Sequence, residues 1–143
     1  MTLYKKIVVA TDGTEYAKKA INAAVDLAKL TGADLYGLYV SDVSNITPTS
    51  AEWEFVAENI KRESDTALEY ICERAKAANV KYEPVSLSGV AAQEIVQYAN
   101  QIDADLIVVG ATGKKALERL IVGSVSDKIL HLAKQPVLVV RSD

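Results

Sequence analysis

What most constrains this chain is the regular alternation of short apolar runs with longer stretches whose apolar residues return at helical spacing. That is the pattern of a parallel sheet with crossover helices. The strand candidates open at Lys6, span about Asp34 to Val40 and Val80 to Leu87, begin again at Asp105 and close with Val137-Leu138-Val139-Val140. Between them, Thr14 is placed to cap a helix whose Ala17, Ala20, Ile21, Ala24, Val25 and Ala28 form an apolar stripe, with Gly32 as its stop. The stretch from Ser41 to Ser50 reads as a loop, and Thr49 with Glu52 has the spacing of a capping box. The long helix that follows repeats Trp53, Val56, Ile60, Ala67, Ile71, Ala75 and Ala78 on one side and leaves its charges for a solvated face. Pro84 weakens the reading of the third run as a strand, since proline prefers an edge strand, where a missing N–H is tolerated. Ser88 or Gly89 then leads into a helix with Ile95, Val96 and Ala99 on one face.

Chemistry is suggested at the fourth strand. Asp105-Leu106-Ile107-Val108-Val109 is opened by an acid and closed by Gly110, as expected for a strand buried on both faces. Gly113 follows, then after nine residues Gly123-Ser124, and a helix-like run with Val125, Ile129, Leu130 and Ala133 that must end before Pro136. Glycines let the backbone approach an anion closely, and a helix N-terminus presents unpaired N–H groups. Phosphate is therefore a natural ligand there, although each glycine also has a purely conformational explanation. Neither G-x-x-x-x-G-K-[ST] nor a G-x-G-x-x-G after the first strand is present.

Composition narrows the function classes. With 143 residues, half of them hydrophobic, the chain is expected to form one domain over residues 1–143. A net charge of −3 and a pI near 5.2 speak against a general affinity for nucleic acid or anionic lipid. The single cysteine, Cys72, cannot form an internal disulfide and is expected to be a buried or half-buried thiol on the long helix. Without a signal-peptide core or an apolar run long enough to span a bilayer, a cytoplasmic location is expected.

The spacing of Gly110, Gly113, Gly123 and Ser124 resembles the G-x2-G-x9-G-[ST] signature of the ATP-binding branch of the universal stress protein family. Lys6-Ile7-Val8-Val9-Ala10-Thr11-Asp12-Gly13-Thr14-Glu15 is similar to the family's opening strand and acidic turn, and Gln135-Pro136-Val137-Leu138-Val139-Val140 to its closing strand. Between the first two motif glycines the chain carries Ala111-Thr112, where family members often have Ser or Ala and then His or Arg.

The resemblance implies an α/β fold: an open twisted five-stranded parallel sheet of order 3-2-1-4-5 with helices on both faces, adenine-nucleotide alpha-hydrolase-like. In that order the direction reverses between the first and fourth strands, so a crevice is expected at their C-terminal ends, at Ala10-Thr11-Asp12 and Val109-Gly110. The resemblance further implies that Asp12 takes the ribose, although an N-cap role for this acid is open on its own residues. It puts backbone contacts to adenine at Val40, with Ala10 and Thr11 lining the pocket. Gly110 and Gly113 would wrap the ribose and phosphates, while Gly123, Ser124, Val125 and Ser126 offer N–H groups and two hydroxyls to the phosphate chain. Mg²⁺ would be held mainly by phosphate oxygens.

His131, near Lys134, has no partners in a hydrolytic motif, and no residue stands out to orient water on a γ-phosphate. An ATP-dependent binding module in a stress response is the expectation. The alternatives are a slow ATPase, an enzyme that phosphorylates itself at Ser124 or Ser126, and a sensor of another adenine nucleotide such as a cyclic one. The apolar last strand, Val137 to Val140, would be covered in a homodimer, as the resemblance implies.

Overall fold

A computed structural model describes residues 4–42, 49–111 and 123–142. In chain order the elements are β1 (Lys6–Thr11), a 3-10 turn (Glu15–Ala17) running into α1 (Lys18–Thr31), β2 (Asp34–Ser41), α2 (Ser50–Ala77), β3 (Tyr82–Ser88), α3 (Ala91–Gln101), β4 (Leu106–Gly110), α4 (Ser124–Leu132) and β5 (Val137–Val140). All strand pairs are parallel, and the sheet order is β3-β2-β1-β4-β5. This is the architecture that the resemblance implies, and Pro84 lies in an edge strand as its chemistry requires.

Side chains alternate across the sheet and build two cores. Ile7, Val9, Leu35 and Val108 pack with Ile21, Val25, Ile71 and Ala75, so α1 and α2 cover one face. Val8, Leu38, Ile107 and Val109 pack with Ile95, Ala99 and Ile129, so α3 and α4 cover the other. Because β1 and β4 are buried on both faces, they need continuous apolar runs in place of alternation. Each fully buried Ile or Leu contributes roughly 1.5–3 kcal/mol of transfer free energy.

Helix ends follow from local chemistry. Gly32, at φ +77°, stops α1 and donates its N–H to the Ala28 carbonyl. Asn79 and Asp103 adopt the same left-handed conformation after α2 and α3, and the following N–H groups of Val80 and Ala104 reach back to Ala75 and Ala99. At the start of α2 the expected capping box is present: the Glu52 N–H donates to Thr49 Oγ1, and the Thr49 N–H donates to Glu52 Oε2 at 2.9 Å.

Four expectations are corrected. Trp53 is exposed and Val56 and Ile60 are only half-buried, because α2 outruns the sheet: its 28 residues extend ~42 Å, against ~27 Å for the eight residues of β2. Its buried stripe starts only at Ser64. Cys72 is exposed, since it follows the inward-facing Ile71 by one residue and so turns about 100° away from the core. On the short α4, Val125 and Leu130 are exposed, and burial is confined to Ser126 and Ile129. Thr14 makes no side-chain cap, because its hydroxyl is taken by Asp12.

Candidate functional site

The sheet is continuous, but its strands part early at the point where its order reverses. β1 pairs with β2 as far as Thr11 and Tyr39, and β4 pairs with β5 as far as Gly110 and Val140. Between β1 and β4, however, the ladder ends at Val9 and Val108, although both strands run on. Ala10-Thr11 and Val109-Gly110 thus border a gap of the kind in which open α/β sheets bind ligands.

A turn after β1 holds an acid, Asp12, at this gap. The Gly13 N–H donates to Thr11 Oγ1, and Asp12 Oδ1 accepts from both the Thr14 N–H at 3.0 Å and the Thr14 hydroxyl at 2.5 Å. Neither of the Asp12 bonds uses Oδ2. Asp12 therefore orders the entry to the 3-10 turn through an Asx-type turn that uses Oδ1.

The other lip is the start of α4. The Gly123 N–H donates to the Ala111 carbonyl at 2.6 Å, and the Ala111 N–H to the Val140 carbonyl, so the helix is tied to the ends of β4 and β5. A Cβ on Gly123 would stand 3.0 Å from the Ala111 oxygen. Gly123 is the N-cap without a side-chain cap bond, which leaves the N–H groups of Ser124, Val125 and Ser126 without intrahelical partners. Ser124 is exposed and does not cap its own helix. Ser126 is buried, with its hydroxyl donated to the Gly123 carbonyl at 3.0 Å, so only its backbone is left for a ligand.

Beside the gap a groove of about 440 Å³ runs between the end of β2 and the overhanging half of α2. Asp12, Tyr39, Val40, Ser41 and Asp42 form one wall, and Phe55, Val56, Asn59, Ile60 and Glu63 the other. The Val40 side chain packs in the α3-side core, which leaves its backbone to face the groove. Tyr39 donates a long hydrogen bond of 3.4 Å to Glu63, and burial, then the carboxylates of Glu63 and Asp12, push its phenol above the usual range. Three carboxylates around the groove repel phosphate, whereas the N-terminus of α4 attracts it. A ligand with an uncharged hydrogen-bonding end and an anionic end is thereby oriented.

Comparison with known proteins identifies the family. The model of the universal stress protein family matches residues 3–141. The chain belongs to that family. Universal stress protein MJ0531 of Methanocaldococcus jannaschii is 43% identical over 141 residues, which span 97% of this chain and 83% of that one. Among solved structures, universal stress protein UspA from Lactobacillus plantarum is similar with a TM-score of 0.84 at 30% identity, covering 96% of this chain and 98% of its own. A universal stress protein in complex with cAMP is similar with a TM-score of 0.72 at 26% identity, over 98% of both chains.

In this universal stress protein, then, Ala10, Thr11, Asp12, Val40, Val109, Gly110, Gly123, Ser124, Val125 and Ser126 all come from element ends around the β1–β4 gap. Val109 is a core residue by its side chain, and Thr11 is buried against its own turn. Gly113, with Thr112, Lys114, Lys115 and Arg119, lies outside the described residues. Sequence reasoning missed the groove wall, because Phe55, Asn59 and Glu63 look like ordinary solvated-face residues and Ser41 like a loop residue. The available signal was the alternation of β2, which carries a polar Ser41 two residues beyond the inward-facing Tyr39.

Proposed function

We propose that this universal stress protein binds an adenine nucleotide, with ATP as its principal ligand, across the β1–β4 gap. The observation that carries the reading is the early end of the β1–β4 ladder at Val9 and Val108, with Asp12 on one lip and the open N-terminus of α4 on the other. In this arrangement the base lies in the groove against the backbone of Val40, and Asp12 Oδ2 accepts a ribose hydroxyl. The phosphates lie on the N–H groups of Ser124, Val125 and Ser126 at the open start of α4. Mg²⁺ would be carried by the phosphate oxygens, as an ion that dehydrates reluctantly prefers.

The protein acts as a binding module in a stress response, with nucleotide occupancy selecting the surface shown to a downstream partner. Asp12 is assigned to ribose, so the reading includes binding and not rapid turnover. A cyclic nucleotide is the second candidate ligand, because a similar universal stress protein is in complex with cAMP. A homodimer joined through the open edge strand β5, in the cytoplasm, completes the proposal.

A calorimetric titration of nucleotide-stripped protein with ATP and Mg²⁺, beside the Gly123→Val variant, tests it. Saturation near one ATP per chain that the variant loses is the expected result. A folded wild-type protein that takes up no adenine nucleotide would overturn the proposal.

A further inference from the structure

Ser41 ends β2 on the sheet face covered by α2. The strand alternates, with Leu35 and Tyr39 in the α1–α2 core and Tyr36, Leu38 and Val40 in the opposite one, so Ser41 points to the side where the groove lies. The residue is only 7% exposed, and Oγ has no hydrogen-bond partner among the described residues. Among the described residues the other buried hydroxyls are engaged: Thr11 Oγ1 accepts the Gly13 N–H, Tyr39 donates to Glu63, Ser64 donates to Ser86 Oγ at 2.8 Å, and Ser126 donates to the Gly123 carbonyl. A buried hydroxyl left unpaired is destabilising, and native folds retain few of them.

The groove supplies the reason to keep it. Ser41 lines its wall beside Val40, opposite the apolar surface of Phe55, Val56 and Ile60. Such a slot, with carboxylates at its rim, takes a flat, uncharged heteroaromatic ring with hydrogen-bonding edges and rejects phosphate.

We propose that the Ser41 hydroxyl is a specificity-determining ligand contact, hydrogen-bonded to the base of the nucleotide. The inference rests on the nucleotide reading above and adds to it a residue and an orientation. A change of Ser41 rotamer or a small outward shift of the α2 overhang brings the hydroxyl to the ring. The described side chains of that overhang, from Glu52 to Glu63, are all exposed or half-buried, so little packing resists the shift.

The test is a set of calorimetric titrations of wild type and Ser41→Ala with ATP, adenosine and inorganic tripolyphosphate, with thermal melts of both unliganded proteins. Loss of one neutral hydrogen bond weakens ATP and adenosine by the same factor, roughly threefold to tenfold. Tripolyphosphate affinity stays as in wild type, and the melting temperature of the unliganded variant does not fall. Equal ATP and adenosine affinity in both proteins would overturn the Ser41 contact and leave the nucleotide reading intact. Weaker tripolyphosphate binding together with a lower melting temperature would reassign Ser41 to a structural role. A wild type that binds none of the three would remove the nucleotide reading, and the Ser41 contact with it.

Discussion

Gly123 sits directly against the carbonyl of Ala111: its N–H donates to that oxygen at 2.6 Å, and a Cβ on Gly123 would stand only 3.0 Å from it. The backbone of Gly123, at φ −58°, suits any residue, so the requirement for glycine is one of space and not of conformation. Substitution forces the start of α4 away from the end of β4. Gly123→Val is expected to lower stability by about 1–3 kcal/mol, as overpacking does, and to weaken ATP more than tenfold. Denaturant unfolding and calorimetry measure the two effects, and a variant with wild-type affinity would remove Gly123 from the phosphate site.

The two serines at the start of α4 separate binding from stability. Ser124 is exposed and caps nothing, so Ser124→Ala leaves stability within about 0.5 kcal/mol of wild type. If its hydroxyl meets phosphate, a charge-assisted bond is lost and ATP weakens by about tenfold or more. Ser126→Ala has the opposite profile. Its hydroxyl bonds the Gly123 carbonyl, so its loss costs about 0.5–1.5 kcal/mol of stability, read in a urea titration.

On α2 the inward and outward faces separate just as sharply. Ile71 is fully buried, and Ile71→Ala is expected to cost about 2–5 kcal/mol in denaturant unfolding. Its neighbour Cys72 faces solvent, so a thiol-specific reagent should modify it stoichiometrically in the native protein, without denaturant. A thiol that reacts only after unfolding would contradict this placement.

The α2 capping box gives a defined acid response. The Glu52 carboxyl is held below its ordinary value of 4.5, first by the Thr49 backbone N–H and then by the Thr49 side chain. A depressed folded-state pKa means that its contribution is present above the unfolded-state value and is lost as pH falls through the folded-state value. The amide protection factors in the first turn of α2, corrected for intrinsic exchange, should therefore fall below about pH 4.5. Glu52→Gln retains the box geometry and should remove the pH dependence.

Assembly is tested at β5. This strand lies at an open edge, with Leu138 exposed, and pairing with a second copy would cover both. Light scattering at micromolar concentration should give the mass of a dimer, and Leu138→Lys, which puts a charge on that edge, should shift the mass towards a monomer. A wild-type monomer mass would exclude the β5 dimer.

Much of this protein was legible before its fold was known, because the informative signals are local. Gly32 marks the end of α1, Thr49 with Glu52 marks the start of α2, and continuous apolar runs mark β1 and β4; each acts on its own neighbourhood. The glycine spacing around Gly110 and Gly123 and the acid Asp12 were visible for the same reason. Tertiary structure alone decided which apolar residues are covered. Trp53 and Ile71 belong to one helical stripe, yet only the second meets the sheet, because α2 is longer than the strands beneath it. It also decided that Ser41, which looked like a loop residue, ends a buried strand with a hydroxyl beside the groove that has no partner among the described residues. Local chemistry sets where elements begin and end, while burial and cavities depend on how far separate elements overlap in space.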